Sequence, residues 1–114
     1  MKIGSASAPL CPATAQAGQE LKVASKNSFN VFNDGGSEII VDVVAEVHDD
    51  KGNRNEVKRS MVRVPVGQHI EEELVPFFMA TYSAGVVTVT GSTVVSVSGD
   101  EGSTTTAERT ITVE

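Results

Sequence analysis

A chain of 114 residues with 39% hydrophobic and 21% charged residues has the length and apolar content of one domain with one core, and is not a disordered polymer. Its net charge of −6 argues against a nucleic-acid-binding face, because phosphate neutralisation needs clustered Lys and Arg. Cys11 is the only cysteine, which excludes an internal disulfide, and no apolar run approaches the roughly 18 residues of a spanning helix.

In chain order, residues 1–18 hold small side chains with Pro9 and Pro12, which remove backbone donors at a short interval. They are expected to form an extended lead-in or arm, with a short strand near Met1–Ser5. No apolar run of signal-peptide length occurs before Pro9, so the sequence reads as a mature or excised domain, an intracellular chain or part of a virion. Gln19–Ala24 alternates, with Leu21 and Val23 inward, and Asn27–Phe32 places Phe29 and Val31 on one face; these are the first two strands. Asn33-Asp34-Gly35-Gly36 is a turn, since Gly supplies positive φ and Asn and Asp bond their own backbone. Glu38–His48 is the longest strand: Ile39, Val41, Val43, Ala45 and Val47 share one face, and Asp42, Glu46 and His48 lie on the other.

After a turn at Asp49–Asn53, the strand Asn55–Val64 has a broken parity. Val57 and Met61 fall on one face and Val62 and Val64 on the other, which predicts a bulge near Ser60–Met61 or an edge position. Pro65–Gln68 is a turn. Gln68–Val75 is a fifth strand, although Glu71–Glu73 also reads as the opening of a helical turn. Pro76–Gly85 carries three of the five aromatic residues and is expected to fold back over an open end. Gly85–Ser98 is read as one bent strand through Gly91 and Ser92, residues 98–103 as a turn, and Thr104–Val113 as the last strand. No ten-residue segment has a 3.6-residue period. The expectation is an all-β, immunoglobulin-like antiparallel β-sandwich of about seven strands over residues 19–114.

Asn33-Asp34-Gly35-Gly36, Asp50-Lys51-Gly52, Pro65-Val66-Gly67 and Ala84-Gly85-Val86, in this order between alternating strands, resemble bacterial immunoglobulin-like modules of the cell-adhesion-related (CARDB-like) type over residues 19–114. The chain lacks the Trp and the Cys pair of antibody-type domains. That family has no shared catalytic set, so the resemblance implies a fold and no site residues.

The residues offer little chemistry. Asp34, Asp100 and Glu101 sit in turns at one end of a seven-strand sandwich and are weak calcium candidates against a background of ordinary turn chemistry; calcium needs about six to eight converging oxygens. Asp49, Asp50 and Asn53 belong to the other end. His48 and His69 are expected at opposite ends, and Cys11 lies in the lead-in, so no Cys-His pair or metal set forms. There is no GxSxG elbow and no glycine turn followed by a helix. Glu71–Glu73 alternate faces, and Arg54, Lys58, Arg59 and Arg63 read as the charges of a solvated edge strand. No catalytic residue, cofactor or metal is assigned, and the chain is not read as an enzyme. Ile40 and Val44 interrupt the charged face of the longest strand and are the candidate interaction residues.

The leading functional expectation is a non-catalytic structural or binding module of a larger surface assembly, with a protein partner or neighbouring domains. Carbohydrate is the alternative ligand. A virion component, decorating or tail-associated and self-assembling through residues 1–18, is the second reading; a small-ligand or enzyme accessory domain is the third. Placement at the cell surface follows if the chain is excised from an exported protein, and in a virion or the cytoplasm otherwise.

Overall fold

The computed structural model describes residues 1–98 and 100–114, with the side chains of Asp100 and Glu101 outside the described set. Among the described residues there is no helix, and the strands are β1 (Lys2–Leu10), β2 (Thr14–Ala15), β3 (Glu20–Phe32), β4 (Ile39–Asp49), β5 (Arg54–Val64), β6 (His69–Leu74), β7 (Phe77–Thr81), β8 (Gly85–Val97) and β9 (Asp100–Val113). One sheet has the order β1-β3-β6, with β7 pairing the other half of β3; the second has the order β2-β9-β8-β4-β5. All pairings are antiparallel except the short parallel contact of β2 with β9. The chain is an all-β, immunoglobulin-like antiparallel sandwich, in which the N-terminal segment first pairs in one sheet and then crosses to the edge of the other.

The alternating pattern of β4 builds the core as its side chains dictate. Val41, Val43, Ala45 and Val47 are each 0–1% exposed, and β8 answers with Val87, Val89, Val95 and Val97. β-Branched residues fit this pleated, half-buried surface. The apolar interior is divided in two. Leu21, Val23, Val47, Tyr82, Val87, Val89 and Ile111 form one cluster. Phe29, Val31, Val41, Val43, Val64 and Val95 form the other.

Between the clusters runs a polar waist. Ser25, Asn27 and Thr93 are fully buried and hydrogen-bonded. The Asn27 side-chain amide donates to Ser92 O (2.7 Å), its Oδ1 accepts from the Ser25 hydroxyl, and Thr93 Oγ1 donates to Ala6 O (3.0 Å). Ser7 extends the waist to β9, with its hydroxyl 2.9 Å from Thr93 Oγ1 and 3.0 Å from Thr105 Oγ1; Ser5 meets Ser103 Oγ at 2.7 Å. Gly91 faces Ser25 here. A Cβ at Gly91 would lie inside the van der Waals envelope of Ser25 Oγ and 2.9 Å from Ser25 Cβ, so only Gly permits the two sheets to approach this closely.

Asn33 and Asp49 organise the two ends. Asn33, 1% exposed, donates from Nδ2 to Ser37 O (2.9 Å) and Val64 O (2.8 Å), accepts the Gly35 amide on Oδ1 (3.0 Å), and exchanges backbone bonds with Gly67 and Gln68. The first pole therefore gathers Met1, the 34–37 and 65–68 turns and the end of β8. The second gathers residues 49–53, residues 82–85 and Glu114, whose amide donates to Ala15 O (2.9 Å). These poles lie at opposite ends of a body measuring 56 × 18 × 18 Å.

Several expectations change. Residues 1–18 do not stand outside the sandwich: Lys2–Leu10 pairs residue for residue with Phe32–Ala24 as an edge strand, where Pro9 is tolerated. The two strands expected at 19–24 and 27–32 are one, because Ser25 faces the waist and its hydroxyl is satisfied there. The aromatic connection 76–85 contains a strand, β7, paired with Glu20–Ala24. Among the described residues nine strands therefore replace seven: β1, β2 and β7 are added, and two expected strands merge into β3. At Ser60–Met61 the register with β4 shifts between Val41 and Val43, Met61 takes φ 55°, and its amide donates to Asp42 Oδ1 (2.8 Å); β5 has both the bulge and the edge position.

Replacing Gly91 with Ala is expected to destabilise the fold by about 1–3 kcal/mol, since the methyl forces β8 from β3 and breaks the Ser25–Asn27 contact. Urea unfolding of the variant measures this; an unchanged midpoint would contradict the close approach.

Candidate functional site

Two outward faces and one pole carry the surface chemistry. On the five-stranded sheet, the outward residues of β4 run Ile40, Asp42, Val44, Glu46, His48. Register sets Ile40 beside Arg63, and Val44 between Lys58 of β5 and Val94 of β8. Ile40 and Val44 are both half-buried. They do not join: Asp42 separates them, and its carboxylate is engaged by the bulge. Around them the face is an alternating ion ladder. Arg54 donates to Glu46 (2.7 Å) and lies 3.5 Å from Glu56, Lys58 lies 3.3 Å from Glu56, and Arg63 donates to Glu38 (3.1 Å). Toward β9 the face is mostly Thr and Ser, with Thr88 opposite Thr110, Ser92 opposite Thr106 and the exposed Glu108 opposite Thr90 between them.

The face of the other sheet is different in kind. Leu10, Ala24 and Phe77 form one row across β1, β3 and β7, and Lys22 and Met79 form the next. Leu10 (45%), Phe77 (45%) and Met79 (49%) are exposed, Ala24 is buried beneath them, and Lys22 Nζ sits 4.6 Å from the Phe77 ring centroid. The sequence reading does not show this patch, because Leu10 falls in the expected lead-in and Phe77 and Met79 in the expected connecting loop. The signal was present in Phe77-Phe78-Met79-Ala80, where Phe78 and Ala80 turn inward and Phe77 and Met79 outward with the period of a strand.

At the second pole Asp49 is the best-connected carboxylate. It is 5% exposed and accepts four hydrogen bonds: Tyr82 OH (2.6 Å) and Asn53 Nδ2 (2.8 Å) on Oδ2, and the Lys51 and Asn53 amides (2.9 Å each) on Oδ1. Burial alone would raise its pKa, yet the four donors, led by Tyr82, outweigh burial and hold it below the usual carboxylate range. Burial first, and then the Asp49 carboxylate, push the Tyr82 phenol well above its ordinary value. A carboxylate saturated by donors and a phenol that keeps its proton are the parts of a structural clasp. A shallow cleft beside them is lined by Lys51 and residues 81–85.

The remaining candidates are dispersed. Asp34 pairs with the Met1 amino group, which holds its carboxyl below the usual range. The calcium reading of Asp34 with Asp100 and Glu101 rests on two side chains that lie outside the described residues. Among the described residues no group of three or more His, Cys, Asp or Glu is placed to hold a metal ion. His48 Nδ1 lies 2.8 Å from Glu46 Oε1 at the far end of β4, while His69 pairs with Phe32 near the first pole. Cys11 is half-buried, packs against the cluster around Tyr82, and has its thiol pKa raised by burial. The three glutamates of β6 part company: Glu72 takes a two-toothed contact from Arg59 (2.8 and 2.9 Å) across the gap between sheets, and Glu73 lies 3.4 Å from Lys26. No helix of the described residues is long and apolar enough to cross a membrane.

No family model matches this sequence. No curated protein matches it either. Among solved structures, the chain is similar to the structural-genomics target SoR45, at 10% identity and a TM-score of 0.39, over 97% of this chain and 85% of that one. It is also similar to Spo0M, a sporulation control protein from Bacillus subtilis, at 16% identity and a TM-score of 0.38. That match covers 96% of this chain and 49% of Spo0M, so the chain spans about half the length of that protein.

Because the folded pKa of Asp49 lies below its unfolded value of about 3.9, its contribution is complete above that pH and is lost as pH falls through the folded value. Tyr82→Phe removes one donor to this carboxylate. It is expected to cost about 1.5–3 kcal/mol at pH 7 and less at pH 3, where Asp49 is largely protonated when unfolded. Urea unfolding at the two pH values checks the sign; an equal loss at both would dissociate the effect from the carboxylate.

Proposed function

We propose that this chain is a non-catalytic immunoglobulin-like module that serves as a structural unit of a larger surface assembly, consistent with its resemblance to cell-adhesion-related modules. The observation that carries this reading is the position of the chain ends. Residue 1 lies at one pole of a 56 Å body and residue 114 at the other, so covalent neighbours on either side extend the axis instead of folding back along it. The acidic balance, the paired surface charges and the clasps at both poles fit a rigid spacer. Each pole is organised by a single buried polar residue, Asn33 or Asp49, so both ends of the unit are held in fixed shape.

A binding role, where the module has one, rests on the Leu10–Phe77–Met79 patch more than on Ile40 and Val44. The first is a contiguous apolar surface with a lysine over its ring; the second is interrupted by Asp42. Such a patch suits a protein partner, since thioether and aromatic carbon repack against many shapes. Sugar stacking is less well served, because Lys22 already occupies one face of Phe77.

Two copies joined directly, Glu114 of one to Met1 of the next, are expected to give a maximum dimension in small-angle X-ray scattering about twice the 56 Å length of one. A tandem no longer than a single module would sink the spacer reading.

A further inference from the structure

We infer that the module is built to bear tension along its long axis, and that the side-by-side run of its first and last strands is what resists. This rests on the spacer reading and adds a mechanical role to it. The load path follows from the topology. A pull on residue 1 draws β1 lengthwise out of the first pole, and a pull on residue 114 draws β9 lengthwise out of the second. β1 is held by nine register pairs to β3, and β9 by its length of pairs to β8. Antiparallel backbone bonds lie perpendicular to their strands, so lengthwise sliding strains all of them together and none can open first.

The two loaded strands are also tied to each other. They run in the same direction, as the bridges Ser5 to Ser103 and Ser7 to Thr105 show. The Ser7 hydroxyl also reaches Thr105 O (3.2 Å), and Thr93 of β8 holds Ala6 O. Beyond the crossover, three parallel backbone bonds close the second pole: Thr112 N–H to Ala13 O, Glu114 N–H to Ala15 O and Ala17 N–H to Glu114 O, each 2.9 Å. Opposed pulls on residues 1 and 114 load these contacts in shear as well. Every interface that separates the two chain ends is therefore met along its length.

Single-molecule pulling in two geometries tests this on the folded chain with Cys11→Ala. Handles at residues 1 and 114 load the axis. Handles at residue 1 and at Gly36→Cys, where an added Cβ meets no atom within 4 Å, peel β1 from β3 starting at the Lys2–Phe32 pair. The axial rupture force is expected to be several-fold the peeling force at the same loading rate; equal forces overturn the inference. Ser7→Ala with Thr105→Val is expected to lower the axial force and leave the peeling force unchanged, since peeling is limited by the first pairs. An unchanged axial force, or the same loss in both geometries, overturns the role given to the hydroxyl bridges. Equal forces in a module whose tandem still doubles in length remove the mechanical role and leave the spacer reading standing. A collapsed tandem removes the spacer reading whatever the forces.

Discussion

The polar waist is the constraint from which the rest of this structure follows. Ser25, Asn27 and Thr93 are buried without charge, and burial of such groups is tolerable only because each is hydrogen-bonded. That requirement fixes several distances at once. Asn27 must reach the backbone of β8, which Gly91 allows by having no side chain. Thr93 must reach the backbone of β1, which draws that strand over the edge of the opposing sheet. An apolar waist of the same volume would leave the sheets freer to slide, because dispersion contacts carry no direction. The waist specifies register between the sheets and divides the interior into two clusters that pack independently.

Much of this architecture was legible in the residues. The alternation of β4, the turn chemistry at Asn33–Gly36 and Asp49–Asn53, and the parity slip at Ser60–Met61 each led to a feature found in the structure. The slip was legible because a bulge changes which face the apolar residues occupy, and Val62 and Val64 recorded that change. What was missed has a common physical cause. Ser25, Ser5 and Ser7 are polar residues facing inward, and a rule that sends polar residues outward breaks β3 in two and leaves β1 as an arm. Hydroxyl groups become core residues when a partner satisfies them: Asn27 of the same strand for Ser25, and residues 98 positions away across the gap for Ser5 and Ser7. No local pattern carries the long-range pairs.

The functional surfaces followed the same division. Ile40 and Val44 could be placed outward from β4 alone, and register confirms their face, but their isolation by Asp42 depends on a bulge in the next strand. The Leu10–Phe77–Met79 patch assembles three strands, two of which lie in segments whose sequence reads as irregular. The gaps between the two sheets are closed by side chains on both sides: hydroxyls between β1 and β9, and Arg59–Glu72 with Asn55 Nδ2 donating to Phe77 O (2.6 Å) between β5 and its neighbours. These bridges replace the backbone pairing that would turn the sandwich into a closed barrel. The bulge, with Lys58, Arg59 and Arg63 around it, leaves β5 a twisted and charged edge that recruits no further strand.

The hydroxyl bridges between β1 and β9 also set an order of events in folding. Loop closure over nearly the whole chain is entropically late, and contacts of long sequence separation slow the search for the native state. β3, β4 and β8 can assemble an apolar nucleus before either end of the chain is in place, but Ser5, Ser7 and the parallel pairing of Thr14 and Ala15 must wait for β9. Within this module, β1 is completed by β9, the strand of the module that is made last. Until then β1 is held by β3 and by the Thr93 hydroxyl of β8, without its bridges to β9, and nascent chains crowded together can exchange that strand.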